Sequence, residues 1–217
     1  SDLLYDWYAK ALSDNKQILQ RITNVLVADS AFSKKPFIDN MLGIGFNVVS
    51  RLRHDAALYY LWEGDPTGKP GRPRVKGEKI DFKNIDKSKV AILDTDESNG
   101  QVYALKAWCK SLHRKISLVI HILPKGGHRL YFSTDESMSG RDVMEYYCTR
   151  FQIEFCFRDA KQFVGLTDSQ ARDTRKLDFA FNSSFTAVNV AKIMCSEYNL
   201  SIWRLKALII NAYYAQR

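Results

Sequence analysis

Hydrophobic and polar positions in the first quarter of the chain predict a helix, a strand, a second helix and a second strand. Residues 2–20 repeat apolar side chains at roughly helical spacing, and residues 22–29 form a short β-branched and apolar run. Ser33 can cap a helix over residues 34–42, and residues 46–53 return as a strand. This order predicts an α/β crossover, in which both strands are parallel.

Asp29 ends the first of these strands, which we expect to be buried on both faces. Open parallel sheets place their chemistry at the carboxyl ends of the strands, so Asp29 is a candidate metal ligand. An aspartate at a strand end is also a common turn former or cap. Both interpretations remain open from the residues alone.

Residues 54–138 change in character. Glycine and proline mark a loop between residues 64 and 73, and five cations make this region strongly basic: Lys69, Arg72, Arg74, Lys76 and Lys79. Such a segment is usually a solvated linker, although it could contact phosphates. Residues 88–134 predict an antiparallel meander, with a hairpin at Asn99-Gly100 and a strand over residues 116–122 with one buried face.

A long helix is predicted from Ser139-Gly140 to Gly165, because the stretch between them contains no glycine or proline. Tyr147, Arg150, Glu154 and Lys161 would then lie on one stripe about 60° wide. An apolar stripe would face the core, and it contains Tyr146, Ile153, Phe157, Ala160 and Val164. The polar stripe can be a solvated face with an i, i+4 ion pair, or it can bind a divalent metal and phosphate oxygens.

Two further helices are predicted over residues 174–197 and 200–215. Both are rich in apolar residues and would pack against the sheet or form a surface for a partner.

Composition narrows the possible environments of the chain. At 217 residues and 46% hydrophobic, it is long enough for one substantial core. A net charge of +8 makes a polyanionic partner plausible. Four cysteines without CxxC spacing predict reduced, half-buried thiols in a cytosolic protein, and the four scattered histidines do not suggest a zinc site. No apolar run is long enough to predict a membrane span or a signal peptide.

The four polar positions of the long helix also carry a family resemblance. They read Y-x2-R-x3-E-x6-K within the local sequence F-x-I-E-x-x-F-R-D-x-K, which resembles the signature of the insertion-sequence-four branch of bacterial DDE transposases. The resemblance implies a ribonuclease H-like fold and an endonuclease that carries out DNA transposition with Mg²⁺ or Mn²⁺. It also implies a homodimer on DNA in the bacterial cytoplasm, associated with the nucleoid, and no membrane.

By this resemblance, Asp29 and Glu154 are the catalytic metal ligands, while Tyr147, Arg150 and Lys161 contact DNA. The expected fold class is α/β, a ribonuclease H-like core with an antiparallel β insertion and C-terminal helices. The expected domains are residues 1–53 for the first part of the core, 54–138 for the β-rich insertion with its basic loop, and 139–217 for the catalytic and C-terminal helices. The first strands and the first catalytic aspartate would precede Ser1.

Two alternatives remain open at this point. Asp135 could complete the acidic set with Asp29 and Glu154, although we expect it instead to cap the turn before the long helix. The chain could also be a catalytically incomplete remnant that binds DNA or dimerises, or a ribonuclease H-like nuclease that acts on RNA hybrids or junctions.

Overall fold

The structure is a computed structural model that describes residues 2–64, 74–96 and 100–215. The chain divides into two compact units, Ser1–Arg150 and Phe151–Arg217. No helix among the described residues is both long enough and apolar enough to cross a membrane. The four cysteines are free thiols, of which Cys109 is buried, Cys148 is exposed and the other two are partly exposed.

The first unit is a mixed α/β structure built on one eight-stranded, mostly antiparallel sheet. The strand order is β1-β2-β8-β7-β6-β3-β4, and β5 pairs with the end of β6 that β3 leaves open. The strands are β1 (Val25–Val27), β2 (Asn47–Leu52), β3 (Leu58–Leu61), β4 (Lys76–Lys79), β5 (Ala91–Asp96), β6 (Gly100–Cys109), β7 (Arg114–Ile122) and β8 (His128–Ser133).

Helices cover both faces of this sheet. On one face, α1 (Asp2–Asp14), the short α2 (Lys16–Leu19) and α3 (Lys35–Gly43) contribute to the larger core, which includes Ile38, Ile116 and Leu118. On the other face, α4 (Gly140–Cys148) packs against a smaller cluster of Val49, Val119, Tyr131, Val143 and Tyr147.

The predicted crossover is confirmed, because β1 and β2 are parallel and α3 joins them. Ser33 does not cap α3, however, and that prediction is wrong. The N-cap is Lys34, and the Ser33 hydroxyl instead donates to the backbone oxygen of Arg51 at 2.9 Å. The strand β1 is partly exposed rather than buried on both faces.

The antiparallel meander over residues 88–134 is also confirmed, as β5, β6, β7 and β8 pair in succession. The prediction that β7 buries only one face is wrong, because every residue from Ile116 to Ile120 is buried. The reason is that α4 covers the second face. Gly100 has a φ of +91°, which suits a turn, while residues 97–99, including Asn99, lie outside the described residues.

Two strands that the sequence did not indicate flank the predicted loop: β3 precedes it, and β4 follows it within the basic region. Arg74, Lys76 and Lys79 are described and exposed. Residues 65–73, which include Lys69 and Arg72, lie outside the described residues.

The second unit consists of α5 (Phe151–Phe163), α6 (Thr174–Tyr198) and α7 (Ile202–Ala215), so both predicted C-terminal helices are confirmed. Ala160, Leu166 and Val188 form its small core. The carboxylate of Asp159 is buried between α5 and α6, 3.8 Å from the ammonium group of Lys192. An apolar groove of about 670 Å³ runs along α6 and α7.

Candidate active site

Asp29 lies immediately beyond β1, where the sequence placed it. Its Oδ1 accepts hydrogen bonds from the backbone N–H of Ser30 at 2.6 Å and from the Ser30 hydroxyl at 3.2 Å. Its backbone oxygen accepts a bond from the hydroxyl of Ser50 on β2 at 3.1 Å. The residue is exposed. A carboxylate is therefore held at the carboxyl edge of the parallel pair, open to solvent.

Tyr147 brings a phenol to the same edge. It is 9% exposed, and its ring packs 4.9 Å from the ring of Tyr131 on β8. Burial raises the pKa of Tyr147 above its usual value of 10.0, while the guanidinium groups of Arg150 and Arg51 lower it and the Asp29 carboxylate raises it. The phenol is therefore neutral at physiological pH, and it lies within electrostatic range of one carboxylate and two cations.

Arg51 is a residue of this group that the sequence reasoning did not single out. Val27 pairs with Val49, so two residues further along the parallel strands Arg51 reaches the level of Asp29. On its other side, Arg51 pairs with Tyr131, the ring that supports Tyr147. The available signal was its place near the end of the second crossover strand, at the edge where parallel sheets bind ligands.

The expected continuous helix is wrong, because it is interrupted at Thr149 and Arg150. In an unbroken helix the backbone oxygen of Tyr146 would accept from the N–H of Arg150. Instead it accepts from the Thr149 hydroxyl at 2.6 Å and from the Thr149 N–H at 3.1 Å, and the Arg150 N–H turns to Tyr147 at 3.1 Å. A side-chain hydroxyl that bonds to a helix carbonyl competes with the backbone bond at that position and favours a bend there.

The four positions of the stripe are consequently divided between the two units. Tyr147 lies in the last turn of α4, and Arg150 lies in the turn that follows within the first unit, where its guanidinium group is 6.0 Å from the Tyr147 ring centroid. Glu154 and Lys161 lie on α5 of the second unit and are both exposed. Seven residues apart on one helix, they share a face.

The apolar stripe is only partly as expected. Ala160 is fully buried and Val164 is partly buried, but Tyr146, Ile153 and Phe157 are 39%, 57% and 44% exposed. The predicted buried stripe is therefore confirmed only at its last two positions.

Asp135 lies at the other end of the sheet from Asp29. Arg51 pairs with Tyr131, so Asp135, four residues after Tyr131, is roughly 14 Å further along the strand direction. Its Oδ1 accepts from the N–H of Ser137 at 2.8 Å and from the Ser137 hydroxyl at 2.6 Å, and these bonds lower the pKa of its carboxyl. Asp135 thus caps the turn before α4, and the strand geometry separates it from Asp29.

The candidate metal ligands are single carboxylates. Among residues 2–64, 74–96 and 100–215, no group of three His, Cys, Asp or Glu side chains is arranged to hold a metal ion. Asp29 and Glu154 both present exposed carboxylates, which are the hard oxygen donors that Mg²⁺ and Mn²⁺ prefer. These two residues fit such an ion chemically.

This edge of the sheet thus carries a carboxylate, a neutral phenol and two guanidinium groups. Such a group of side chains suits the binding of phosphate groups. Comparison with known families defines the class further: the family described as transposase DDE domain matches residues 9–190. The match covers most of the chain, so the protein belongs to the transposase DDE domain family. Membership implies a transposase catalytic function with DNA as the substrate. No curated protein matches the chain.

Proposed function

We propose that the chain is the catalytic region of a DNA transposase of the insertion-sequence-four branch, which cleaves strands at transposon ends and joins them to target DNA. The observation that carries this proposal is the group formed by Asp29, Arg51, Tyr147 and Arg150 at the carboxyl edge of β1 and β2. Family membership supplies the substrate class. The Y-x2-R-x3-E-x6-K spacing supports the assignment to this branch.

The proposal assigns a role to each side chain. Asp29 and Glu154 would hold the divalent ions. When bound, Mg²⁺ or Mn²⁺ supplies activation of the attacking hydroxyl and neutralisation of the leaving oxygen. Arg51 and Arg150 bind and orient non-bridging phosphate oxygens as bidentate donors.

The remaining roles concern the phenol and the lysine. Because Tyr147 keeps its proton, its hydroxyl can donate a hydrogen bond to a phosphate oxygen rather than repel it. Lys161, on the same face of α5 as Glu154, contacts the DNA backbone as a point charge.

Further parts of the proposal concern organisation. We take the fold as ribonuclease H-like, with residues 1–53 and 139–217 as core segments and residues 54–138 as the β-rich insertion. We also propose that the protein acts as a homodimer on DNA in the bacterial cytoplasm, in association with the nucleoid.

The test is strand cleavage of a labelled duplex that carries the terminal repeat of the encoding element, with Mg²⁺ or Mn²⁺ present. Glu154→Gln should lower the cleavage rate by more than about 100-fold, since even the loss of a residue that only supports a metal ligand costs 10–100-fold. Glu197→Gln is the matched control, because Glu197 is an exposed glutamate of α6 and the charge change is the same. It should cleave at the wild-type rate.

Cleavage by Glu154→Gln as fast as by the control would refute the proposal. Metal-independent DNA binding by the wild-type chain, without any cleavage, would instead identify a catalytically incomplete DNA-binding protein. Faster cleavage of RNA–DNA hybrids than of transposon ends would identify a ribonuclease H-like nuclease.

A further inference from the structure

A second group of cations and aromatic rings lies on or next to β3, β4 and β6, outside the candidate active site. The guanidinium group of Arg74 lies 3.9 Å from the ring centroid of Trp62. The ammonium group of Lys76 lies 5.7 Å from the ring centroid of Tyr59 and 5.8 Å from that of Trp108. We call these five residues the basic–aromatic surface.

The strand register extends this surface across the sheet. Tyr59 pairs with Trp108, and Trp108 pairs with Lys115 on β7. Directly paired residues of neighbouring strands project from the same face, so these three side chains form one row. Lys115 is exposed, as are Arg74 and Lys76. The row therefore adds a third cation beside the two aromatic rings.

This row belongs to the sheet face that carries the candidate active site. Lys115, Ser117 and Val119 alternate along β7 and point to one side. Val119 pairs with Tyr131, and both belong to the cluster under α4 together with Tyr147. Helix α4 thus covers one half of the face, while the half with Trp108 and Lys115 lies beyond it. Along the direction of β7, the row of Lys115 lies four residues, or roughly 14 Å, from the row of Val119 and Tyr131.

The cations Arg74, Lys76 and Lys115 can bind an anionic partner. Within the described parts of the chain, no carboxylate lies within 4.0 Å of Arg74, Lys76 or Lys115. Stacking on an aromatic ring orients a cation without neutralising it. The Arg74 Nε–H also donates to the backbone oxygen of Lys76 at 3.0 Å, which further restrains the side chain. Two cations oriented by aromatic rings and a third on the same row suit a polyanion better than a small ligand.

We propose that the basic–aromatic surface, with Lys115, binds the phosphate backbone of the DNA duplex that enters the candidate active site. The strand order places β4 six strand spacings from β1, which is roughly 29 Å across the sheet. A duplex rises roughly 3.4 Å per base pair, so DNA lying across this face from Asp29 would reach Arg74 and Lys76 about nine base pairs away. The inference rests on the proposed function for the identity of the polyanion.

The test measures metal-free DNA binding by the full 217-residue chain, so that catalysis does not enter. Fluorescence anisotropy with a labelled duplex in EDTA, over a series of KCl concentrations, gives the slope of log K against log [KCl]. This slope is negative, and each lost phosphate contact reduces its magnitude by about 0.9. The double variant Arg74→Gln, Lys76→Gln should therefore reduce the magnitude of the slope by about 1.8, and Arg74→Lys, Lys76→Arg should restore it.

The matched control is Lys10→Gln, Lys16→Gln. These lysines are exposed and belong to α1 and α2, on the opposite face of the sheet, and the charge change is identical. The control should keep the wild-type slope. An equal fall for both double variants would show a net-charge effect and overturn the proposal, as would an unchanged slope for both. Circular dichroism confirms that each variant is folded.

Two further outcomes distinguish a failure of the proposed DNA-binding surface from a failure of the proposed transposase function. If polyglutamate binds as tightly as the duplex and is lost in the same variant, the surface binds acidic polypeptides and the DNA assignment is wrong. If Glu154→Gln leaves cleavage intact while the salt slope still depends on Arg74 and Lys76, the proposed function fails and the DNA-binding surface stands.

Discussion

Replacing Gly140 by alanine tests how closely α4 packs on the sheet of the first unit. A Cβ built on Gly140 would lie 2.5 Å from the Cβ of Ala104, 2.8 Å from the Cδ1 of Leu93 and 3.3 Å from the Cγ2 of Val119. The Leu93 methyl can rotate away, but the Ala104 Cβ is fixed to the backbone of β6. The start of α4 must therefore move away from the sheet to admit one methyl group.

The expected cost follows from two opposing contributions. Overpacking a close contact costs about 1–3 kcal/mol. Alanine in place of glycine in a helix returns up to about 1 kcal/mol, and less at the first helical position. The net loss in free energy of unfolding should be about 1–2 kcal/mol. With a urea slope near about 2 kcal/mol/M, the midpoint of unfolding should fall by roughly 0.5–1 M.

Gly43→Ala is the matched control. Gly43 lies in the last turn of α3, a Cβ built on it would meet no described atom within 4 Å, and its φ is not positive. The same methyl should therefore leave stability unchanged or raise it by about 0.5–1 kcal/mol. Urea unfolding followed by circular dichroism compares the two variants. Equal stability of both would refute the close approach of α4 to β6.

The remaining predictions concern stability. Asp39 pairs with Lys35 of its own helix and with Arg114 of β7. Asp39→Asn should lower the free energy of unfolding by about 1 kcal/mol at low salt and by less in about 1 M NaCl, because salt screens partly exposed ion pairs. Equal losses at both salt concentrations would contradict this. Hydrogen bonds from Ser137 hold the pKa of the Asp135 carboxyl below 3.8, so the stability it contributes is present above pH 3.8 and is lost as the pH falls below that value. Asp135→Asn should therefore lose less stability than the wild type between about pH 4 and pH 2 in urea titrations, and parallel losses would show that the carboxylate contributes nothing.

Local patterns in the sequence were sufficient to predict those helices and strands that depend on a few neighbouring residues. The crossover that presents Asp29, the meander of β5 to β8 and the helices α6 and α7 all follow from periodicity and turn residues. The position of Asp29 followed directly, because a strand that ends in a carboxylate before a crossover helix specifies which edge it occupies.

Non-local and side-chain effects explain what the sequence did not indicate. Strands β3 and β4 are only four residues long, and β3 gains its pairing from β6, far along the chain. The parallel pairing of β1 with β2 sets Arg51 level with Asp29, but its position beside Tyr131, which packs against Tyr147, comes from the pairing of β2 with β8, which no local pattern reveals. The break after α4 coincides with a bond from the Thr149 hydroxyl to the backbone oxygen of Tyr146, which helix propensity alone cannot show.

The pairing of β2 with β8 also has a consequence for how the protein is made. The N–H of Val48 donates to the hydroxyl of Thr134, 86 positions later in the chain. A ribosome that has released β1 and β2 must therefore synthesise the whole meander before β2 can close its second edge. Contacts of such long sequence separation form slowly, and an open strand edge can meanwhile pair with another chain. Arg51 lies on this late-closing strand, so the candidate active site is completed only after β8 has been synthesised.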